Sequence, residues 1–516
     1  MEENKMSKGK EILAILLLTL VIGTGTLAWI VWSSKDNTKM NVTIGDLADV
    51  SFKTGNDINI SNLSPSFYYD DGALTEFSIR KKKGLTTELN TNIYLDITSI
   101  SDELKNDNFK YVLLSSSDGN TYNEVISSSF KDAGVGKLDI VTDNPLTDGK
   151  TYYKFYIWID GNNENNETMQ GKSLKGTLNV DVSTPPVNAV TLVEGLDKGE
   201  TGDSGSGVYK VTHSAIPASS SATGSEIPAV TDYRYYGPSP NNYICLDMEG
   251  GSTCPDKHLY RIIGSIYEEK ENTNRIKVIK ATPLTDGTTK GFSWDYKVNN
   301  GSVSYDNIWA TITSGNYSNS LTSGASLMQL LNSGAWWNGT SGSYYNNSTT
   351  ATTVNFTNYK LSDKAKSYIT TSRYYLGGYK NQTPLTNEMY GYERGIKRYN
   401  TDRPLYWEGM VGLMYPSDYG YAAGNTCVTG TKLWDYSGGC MNKDWLHISN
   451  TDQWLMLPYS GNSVLVFRTS SSGFVHNYGD GSISYNVRSA RPVFFLSSSA
   501  SISEGEGTSA APYILS

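Results

Sequence analysis

The chain has 516 residues, of which 38% are hydrophobic, 12% aromatic and 18% charged, and this length suggests about three domain-sized units. Its 37 tyrosines and 11 tryptophans argue against a disordered chain. The formal net charge of −9 at pH 7 disfavours a charge-driven contact with nucleic acid or with an anionic membrane surface. Composition therefore indicates a folded, polar, tyrosine-rich protein and does not indicate any particular catalytic activity.

An uncharged apolar run near the N-terminus, residues 12–32, contains 21 residues. A helix of that length, at about 1.5 Å per residue, spans the roughly 30 Å hydrocarbon core of a membrane. We therefore predict a transmembrane helix or signal anchor at residues 12–32, preceded by a cytoplasmic tail at residues 1–11 that carries Lys5, Lys8 and Lys10. A cleaved signal peptide is the alternative, because a charged start and an apolar middle are common to both.

The four cysteines form two couples that are close in the sequence, Cys245 with Cys254 and Cys427 with Cys440. An even number of cysteines outside a membrane anchor is typical of an oxidising exterior. We predict one disulfide within each couple, each contributing roughly 2–3 kcal/mol by chain entropy. Four unpaired thiols are the alternative. The bulk of the chain is accordingly expected outside the cell, on a single-pass anchor in the cell membrane.

Short apolar stretches separated by turn residues occupy the chain from residue 40 to residue 183. Residues 92–97 and 152–159 are examples, and Asp148-Gly149 is one of the turns between such stretches. Several short strands at this spacing predict an all-β sandwich domain at residues 40–183.

Composition changes at residue 184 and again near residue 231. Residues 184–231 are rich in Gly, Ser, Thr and Pro, which predicts a flexible linker interrupted by one short strand at residues 208–211. Residues 232–516 combine strand-like stretches, such as 259–266 and 275–280, with short helical ones, such as 362–369. This mixture predicts an α+β ligand-binding-like domain at residues 232–516.

Three clusters in residues 232–516 resemble an uncharacterised family of bacterial surface proteins. They read Tyr-Arg-Tyr-Tyr-Gly-Pro at 233–238, Leu-Tyr-Arg-Ile-Ile-Gly at 259–264 and Ala-Arg-Pro-Val-Phe-Phe at 490–495. The resemblance implies a surface location but no assigned activity. The arrangement of Trp454, the turn at 470–473 and Arg491 also resembles the C-type-lectin-like fold shared with formylglycine-generating enzymes. That second resemblance implies a C-type-lectin-like fold for the domain.

Residues 40–183 resemble the β-sandwiches of secreted bacterial matrix proteins of the biofilm-fibre and camelysin kind. The Thr-Leu-Ala-Trp end of the apolar run, at residues 26–29, is similar to the signal segments of those proteins. Some of that group are labelled metallopeptidases, but residues 40–183 contain no histidine, so a histidine-based zinc site is not expected. We predict no catalytic residue, no metal and no cofactor for this chain.

Aromatic residues flanked by Gly, Ser and Asn are the feature best suited to recognition. Tyr and Trp bring large contact areas at low entropic cost, and their rings stack on sugars. The predicted ligand-binding residues are Trp336, Trp337, Phe474, His476, Tyr478, Asp480 and Tyr485. For each aromatic residue among them, the alternative is a place in the hydrophobic core.

These observations lead us to expect a membrane-anchored bacterial cell-surface protein that acts in recognition or adhesion without catalysis. Its expected partners are a host or bacterial surface glycan or protein and, through the N-terminal helix, the membrane, but not nucleic acid. The alternative is a structural surface or matrix protein that assembles through the β-sandwich domain. A third interpretation is an enzyme that uses His447, near Asp444, or His476, near Asp480.

Overall fold

The computed structural model describes residues 40–44, 47–53, 55–61, 63–83, 88–162, 166–221, 223–299, 302–304, 325–396, 406–459, 465–476 and 487–516. The chain divides into two compact units, Met1–Pro185 and Pro186–Ser516, called unit 1 and unit 2 below. Most of the regular structure is strand. The predicted span at residues 12–32 and the tail before it lie outside the described residues. Within the described ranges, no helix has the length and apolar character needed to cross a membrane.

Unit 1 consists of two packed sheets. Its strands are β1 (Met40–Ile44), β2 (Ala48–Phe52), β3 (Asp57–Ser61), β4 (Pro65–Ser66), β5 (Ala73–Lys81), β6 (Leu89–Ile100), β7 (Phe109–Ser116), β8 (Asn123–Ser129), β9 (Gly136–Leu146), β10 (Lys150–Asp160) and β11 (Ser173–Ser183). One sheet has the order β1-β2-β5-β10-β7-β8, with β4 parallel to the end of β10, and the other has the order β3-β11-β6-β9.

Alternation along the strands explains why these sheets pack together. In β3, for example, Ile58 and Ile60 are buried while their neighbours are exposed. The inward side chains of both sheets form one hydrophobic core, with Phe77 and Tyr153 stacked between neighbouring strands of the larger sheet. Unit 1 is therefore a β-sandwich, which confirms the predicted fold class for this part of the chain.

Unit 2 contains both strands and short helices. Its strands are β12 (Val187–Asn188), β13 (Gly207–His213), β14 (Val230–Tyr236), β15 (Tyr243–Cys245), β16 (Leu259–Glu268), β17 (Thr273–Lys280), β18 (Phe292–Ser293), β19 (Lys297–Asn299), β20 (Ser302–Ser304), β21 (Ser341–Tyr344), β22 (Thr352–Asn355), β23 (Ser372–Tyr375), β24 (Tyr406–Gly409), β25 (Gln453–Pro458), β26 (Val466–Thr469), β27 (Val475–His476), β28 (Val487–Arg488), β29 (Val493–Phe495), β30 (Ser501–Glu504) and β31 (Tyr513–Leu515). Its helices are α1 (Ala189–Gly195), α2 (Ser326–Asn332), α3 (Ala335–Asn338), α4 (Asp363–Ser367), α5 (Thr386–Glu393), α6 (Pro416–Ala422), α7 (Asn425–Gly430) and α8 (Gly438–Met441).

The main sheet of unit 2 has the order β12-β30-β31-β15-β16-β14-β13, and β17 joins β16 to β29. Helices and loops cover it to form one large core that includes the buried rings of Trp294, Trp407 and Trp454. Helix α6 begins at Pro416, where a missing N–H costs nothing, and the Asp418 carboxylate accepts the N–H of Tyr415. This cap fixes the first turn of α6, one of the helices that border the candidate site.

The structure differs from the flexible linker predicted at residues 184–231. This segment contains β12, α1 and β13, and β13 pairs along its whole length with β14, from Gly207 opposite Tyr236 to His213 opposite Val230. The strand predicted at residues 208–211 is present within β13, and its Val208 and Tyr209 are buried. Gly- and Ser-rich turns on either side of β13 dominate the composition of the segment, which is why it was predicted to be flexible. Unit 2 accordingly begins at Pro186 rather than at residue 232.

Both predicted disulfides are present. Cys245 is bonded to Cys254 and Cys427 to Cys440, with 5.8 Å between the Cα atoms in each pair. The first bond closes the loop after β15, and the second connects α7 to α8.

Candidate functional site

The two predicted tryptophans do not form an open surface. Trp336 is 2% exposed and belongs to the core of unit 2, so its ring is not accessible to a ligand. Trp337 is half-buried, and the Lys366 ammonium lies 5.2 Å from the centre of its ring. Consecutive residues on a helix point about 100° apart, which explains why α3 directs one ring into the core and the other to its edge. The prediction of a ligand contact at Trp336 is therefore corrected.

The other predicted cluster is partly described. The ring of His476 stacks on Trp434, with centroids 4.4 Å apart and an angle of 14° between the planes, and Phe474 lies 5.1 Å from His476. These three half-buried residues form the Trp434 surface. The remaining predicted residues, Tyr478, Asp480 and Tyr485, lie outside the described residues.

The alternative catalytic histidine, His447, is placed in a structural role. Its Nδ1 lies 3.3 Å from the hydroxyl of Tyr419, and burial lowers the pKa of the imidazole. The Asp444 carboxylate accepts the backbone N–H of Leu446, and burial raises the pKa of this acid well above its usual range. Asp444 therefore supports its own turn rather than orienting His447 as a base would require.

A concave pocket of about 620 Å³ lies elsewhere in unit 2, between β13 and helices α5, α6 and α7. Its floor is aromatic and consists of Tyr209, His213, Tyr390 and Tyr421; these four residues define the tyrosine pocket. Polar side chains surround the opening: Lys210, Asn387, Asn425 and Thr429. An aromatic floor with a polar rim is the usual composition of a small-ligand site.

Stacking holds the rings of the floor in place. The rings of His213 and Tyr390 are almost parallel, with centroids 3.6 Å apart. The Arg394 guanidinium lies 3.4 Å from the centre of the Tyr390 ring, and the Arg234 guanidinium lies 4.5 Å from that of Tyr421. Each of the two tyrosines therefore has a buried cation against its ring, which fixes its position before any ligand enters.

A buried ion network lies beneath the floor. Arg234 donates to Asp232 at 2.7 Å and to Asp418 at 3.1 Å, and Lys277 donates to the second oxygen of Asp418 at 2.5 Å. All four side chains are almost completely buried, with two cations balancing two anions. Burial alone would raise the pKa of Asp418, but Lys277 and Arg234 outweigh burial and hold this pKa below its usual range. The network joins β14, β17 and α6 into a rigid support.

The same network sets the protonation of His213. Its Nε2 lies 2.9 Å from Asp232 Oδ2, and burial lowers the pKa of the imidazole more than Asp232 raises it. Burial would raise the pKa of Asp232, yet Arg234 and His213 hold it far below the usual value, so the carboxylate is charged. A neutral His213 must then carry its proton on Nε2 and donate it to Asp232. Its Nδ1 is left as a hydrogen-bond acceptor.

Two tyrosine hydroxyls are further polar groups in the pocket. In the described part of the chain, the hydroxyls of Tyr390 and Tyr421 make no hydrogen bond, and neither is sealed from solvent. Burial raises the pKa of both phenols, so they remain protonated at physiological pH. Together with the amides of Asn387 and Asn425, they provide donors and acceptors without a net charge.

A separate group of residues has the geometry of a metal site. One ligand atom from each of Asp247, Glu249 and His258 lies within 4.8 Å of the others. However, the Lys257 ammonium lies 2.7 Å from Glu249 Oε1, which is also 3.1 Å from His258 Nε2. Asp247 accepts the hydroxyl of Ser362. These partners already balance the carboxylates, so we assign no metal to this group.

The sequence did not single out the residues of the tyrosine pocket. Tyr209 and His213 lie in the segment predicted as a linker, and Tyr390 and Tyr421 lie on two helices that come near β13 only in the folded chain. The strand predicted at residues 208–211 was the one local signal, because it includes Tyr209 of the pocket.

Comparison with known proteins does not assign the site: no protein-family model matches the chain, and no curated protein matches it either.

Proposed function

We propose that this chain is a membrane-anchored bacterial cell-surface protein whose unit 2 recognises a carbohydrate without transforming it. The tyrosine pocket is the observation that carries the proposal. The anchor rests on the apolar run at residues 12–32, and the extracellular location is supported by two disulfides, which persist in oxidising surroundings. The resemblance of unit 2 to C-type-lectin-like domains is in keeping with a recognition module.

The chemistry of the pocket favours a neutral, hydroxyl-rich ligand. A sugar ring offers several hydroxyls that both donate and accept hydrogen bonds. The hydroxyls of Tyr390 and Tyr421 and the Nδ1 of His213 match those hydroxyls, and the amides of Asn387 and Asn425 add further partners at the rim. Cationic ligands are disfavoured, because the rings of Tyr390 and Tyr421 already have a guanidinium against them.

The first prediction concerns the two free hydroxyls. Tyr390→Phe and Tyr421→Phe keep the rings and remove only the hydroxyls, so we expect each to weaken glycan binding about tenfold, in proportion to one lost hydrogen bond. The purified full chain is first applied to an array of host and bacterial glycans, and the best ligand is then titrated by calorimetry. Tyr345→Phe, outside the pocket, is the matched control and is expected to bind as the wild type does.

A second pair of variants distinguishes the two aromatic regions. Phe474→Ala with His476→Ala removes rings from the Trp434 surface and leaves the tyrosine pocket unchanged. Binding lost in that variant but retained in both tyrosine variants would contradict the pocket and move the site to the Trp434 surface. Failure of the wild type to bind any glycan would contradict carbohydrate recognition and turn the search to a protein partner.

A further inference from the structure

The large apolar side chains exposed on unit 1 are few and unevenly placed. Among the described residues of this unit, they are Phe67, Tyr68, Tyr69, Leu74 and Val135. Phe67 is 68% exposed, Tyr68 69% and Val135 75%. Exposed aromatic and aliphatic side chains that cluster together commonly mark a contact with another molecule or a membrane. The five residues are called the apolar end below.

Strand register places all five at one end of the sandwich. Ser66, directly before Phe67, pairs with Asp160 at the end of β10, and Leu74 pairs with Tyr156 of the same strand. Val135 lies after β8 in the chain. The end of β8 lies beside the start of β7, because Ser129 pairs with Lys110. β7 begins where β10 ends, because Phe109 pairs with Ile159. The apolar end is thus the end at which β10 finishes.

Strand β1, the first described strand of unit 1, starts level with Tyr153 of β10. Met40 pairs with Phe52, which pairs with Phe77, whereas Ile44 pairs with Ala48, which pairs with Lys81. Strand β1 therefore runs away from the apolar end. The chain leaves unit 1 at the opposite end, where Ser183 of β11 pairs with Asn90 at the start of β6.

The apolar run and unit 1 are close to each other in the sequence. Only residues 33–39 separate Trp32, the last residue of the run, from Met40. Seven residues reach at most about 25 Å when fully extended. Met40 is seven residues short of the level of Asp160, so residues 33–39 are long enough to place a bilayer that contains residues 12–32 at the apolar end.

We propose that the apolar end rests on the bilayer surface that residues 12–32 enter, with Phe67, Tyr68 and Val135 in the interfacial layer. The proposal rests on the membrane anchor in the proposed function and adds a second membrane contact to it. Aromatic side chains favour the interface, where the ring meets apolar groups and a hydroxyl stays hydrated.

The loop that carries the aromatics is held in a fixed shape. The Tyr69 ring packs 5.2 Å from Tyr156 and 6.1 Å from Trp158, so it forms a base from which Phe67 and Tyr68 project. Gly72 lies so close to the Ile157 carbonyl that a Cβ there would be 2.4 Å from the oxygen, which ties the loop to β10. A preformed loop loses little conformational freedom when it enters the interface.

The negative charges on this loop determine which lipid headgroups it can contact. Asp70 and Asp71 flank the aromatics, and Asp71 accepts the hydroxyl of Ser66. Because carboxylates are repelled by anionic headgroups, the contact depends on apolar insertion and not on charge. Uncharged phosphatidylcholine vesicles are therefore the appropriate probe.

The test measures membrane depth at single positions in the full chain. All four native cysteines are in disulfides, so Tyr68→Cys, Val135→Cys and Asp148→Cys each introduce one free thiol for a bimane label. Asp148 is the matched control, because it lies in the turn before β10, at the opposite end of the sandwich. The labelled chains are reconstituted into phosphatidylcholine vesicles with and without lipid that carries a nitroxide at the headgroup.

We expect nitroxide lipid to quench the labels at positions 68 and 135 at least about twofold more than the label at position 148, as an interfacial location requires. Equal quenching at all three positions, in a chain that floats with the vesicles, would overturn the apolar-end contact and leave the anchor intact. A chain that does not float would overturn both. A spectral shift that depends on protein concentration and not on lipid would assign the surface to a second copy and overturn the proposal. Glycan binding is measured separately and is not affected by any of these results.

Discussion

At the scale of single residues, Glu393 is a buried acid whose charge changes near neutral pH. It lies at the end of α5, next to Tyr390 and Arg394, and its two oxygens accept the N–H of Ser417 at 2.8 Å and the hydroxyl of Ser417 at 2.5 Å. Burial raises the pKa of Glu393 to about 7, although Arg394 and Ser417 lower it in part. The protonated form is therefore favoured by folding.

This shift has a definite sign for stability. The folded pKa lies above the usual value of 4.5, so the free energy of unfolding falls as pH rises from about 4.5 to 7 and stays lower above that. Glu393→Gln cannot ionise, and its amide can still accept from the Ser417 N–H and donate to the Ser417 hydroxyl. At pH 8 we expect this variant to be more stable than the wild type by about 2 kcal/mol, and at pH 5 nearly equal to it.

Chemical denaturation at a series of pH values measures this difference. Glu388→Gln, at an exposed position of the same helix, is the control and should follow the pH dependence of the wild type. If Glu393→Gln and the wild type lose stability in parallel between pH 5 and pH 8, Glu393 is not the titrating group.

At the scale of elements, one of the two disulfides anchors a helix that lines the tyrosine pocket and the other does not. Cys427 lies in α7, whose Val428 and Thr429 line the pocket, and its bond to Cys440 ties α7 to α8. The bond between Cys245 and Cys254 closes a loop that does not line the pocket. The two crosslinks close loops of similar length, so they form a matched pair for separating stability from ligand binding.

Replacing each pair by serine gives a prediction at this scale. Both the Cys427→Ser/Cys440→Ser variant and the Cys245→Ser/Cys254→Ser variant should lose roughly 2–3 kcal/mol of unfolding free energy. Only the first should also weaken glycan binding, by at least about threefold, because α7 loses its fixed position and a preorganised wall is lost. Urea denaturation and calorimetric titration provide the two measurements. Equal affinities in the two variants would show that α7 does not depend on its crosslink.

At the scale of the whole molecule, each unit has a hydrophobic core of its own. Leu95 belongs to the core of unit 1 and Leu455 to the core of unit 2, and both are completely buried. The tyrosine pocket is lined only by residues of unit 2. Stability can therefore be changed in one unit while the proposed site in the other is left alone.

The corresponding prediction uses one substitution in each core that replaces a buried leucine by alanine and so creates a cavity. Leu95→Ala and Leu455→Ala should each cost about 3 kcal/mol, since both leave a cavity in a packed core. In scanning calorimetry, Leu95→Ala should lower the temperature of an unfolding transition that added glycan does not shift. Leu455→Ala should lower the temperature of the transition that added glycan raises. A loss of glycan affinity in folded Leu95→Ala protein would contradict the separation of the two units.

The sequence by itself determined the features that depend on neighbours along the chain. Short apolar stretches separated by turn residues predicted the sandwich, since strands and turns are encoded locally. The short spacing of the cysteines left one partner within reach of each. The helix start at Ser362 was also local, because its hydroxyl accepts the N–H of Ala365.

Only the tertiary structure decided the candidate site. The sequence predicted a strand at residues 208–211, but the full length of β13, from Gly207 to His213, and its place in the sheet depend on β14 lying beside it. Tyr209, Tyr390 and Tyr421 meet because the ion network joins distant segments, with Arg234 bonded to Asp418. Burial is a property of the whole fold, so an aromatic residue in the sequence does not reveal whether it fills a core, as Trp336 does, or lines a pocket.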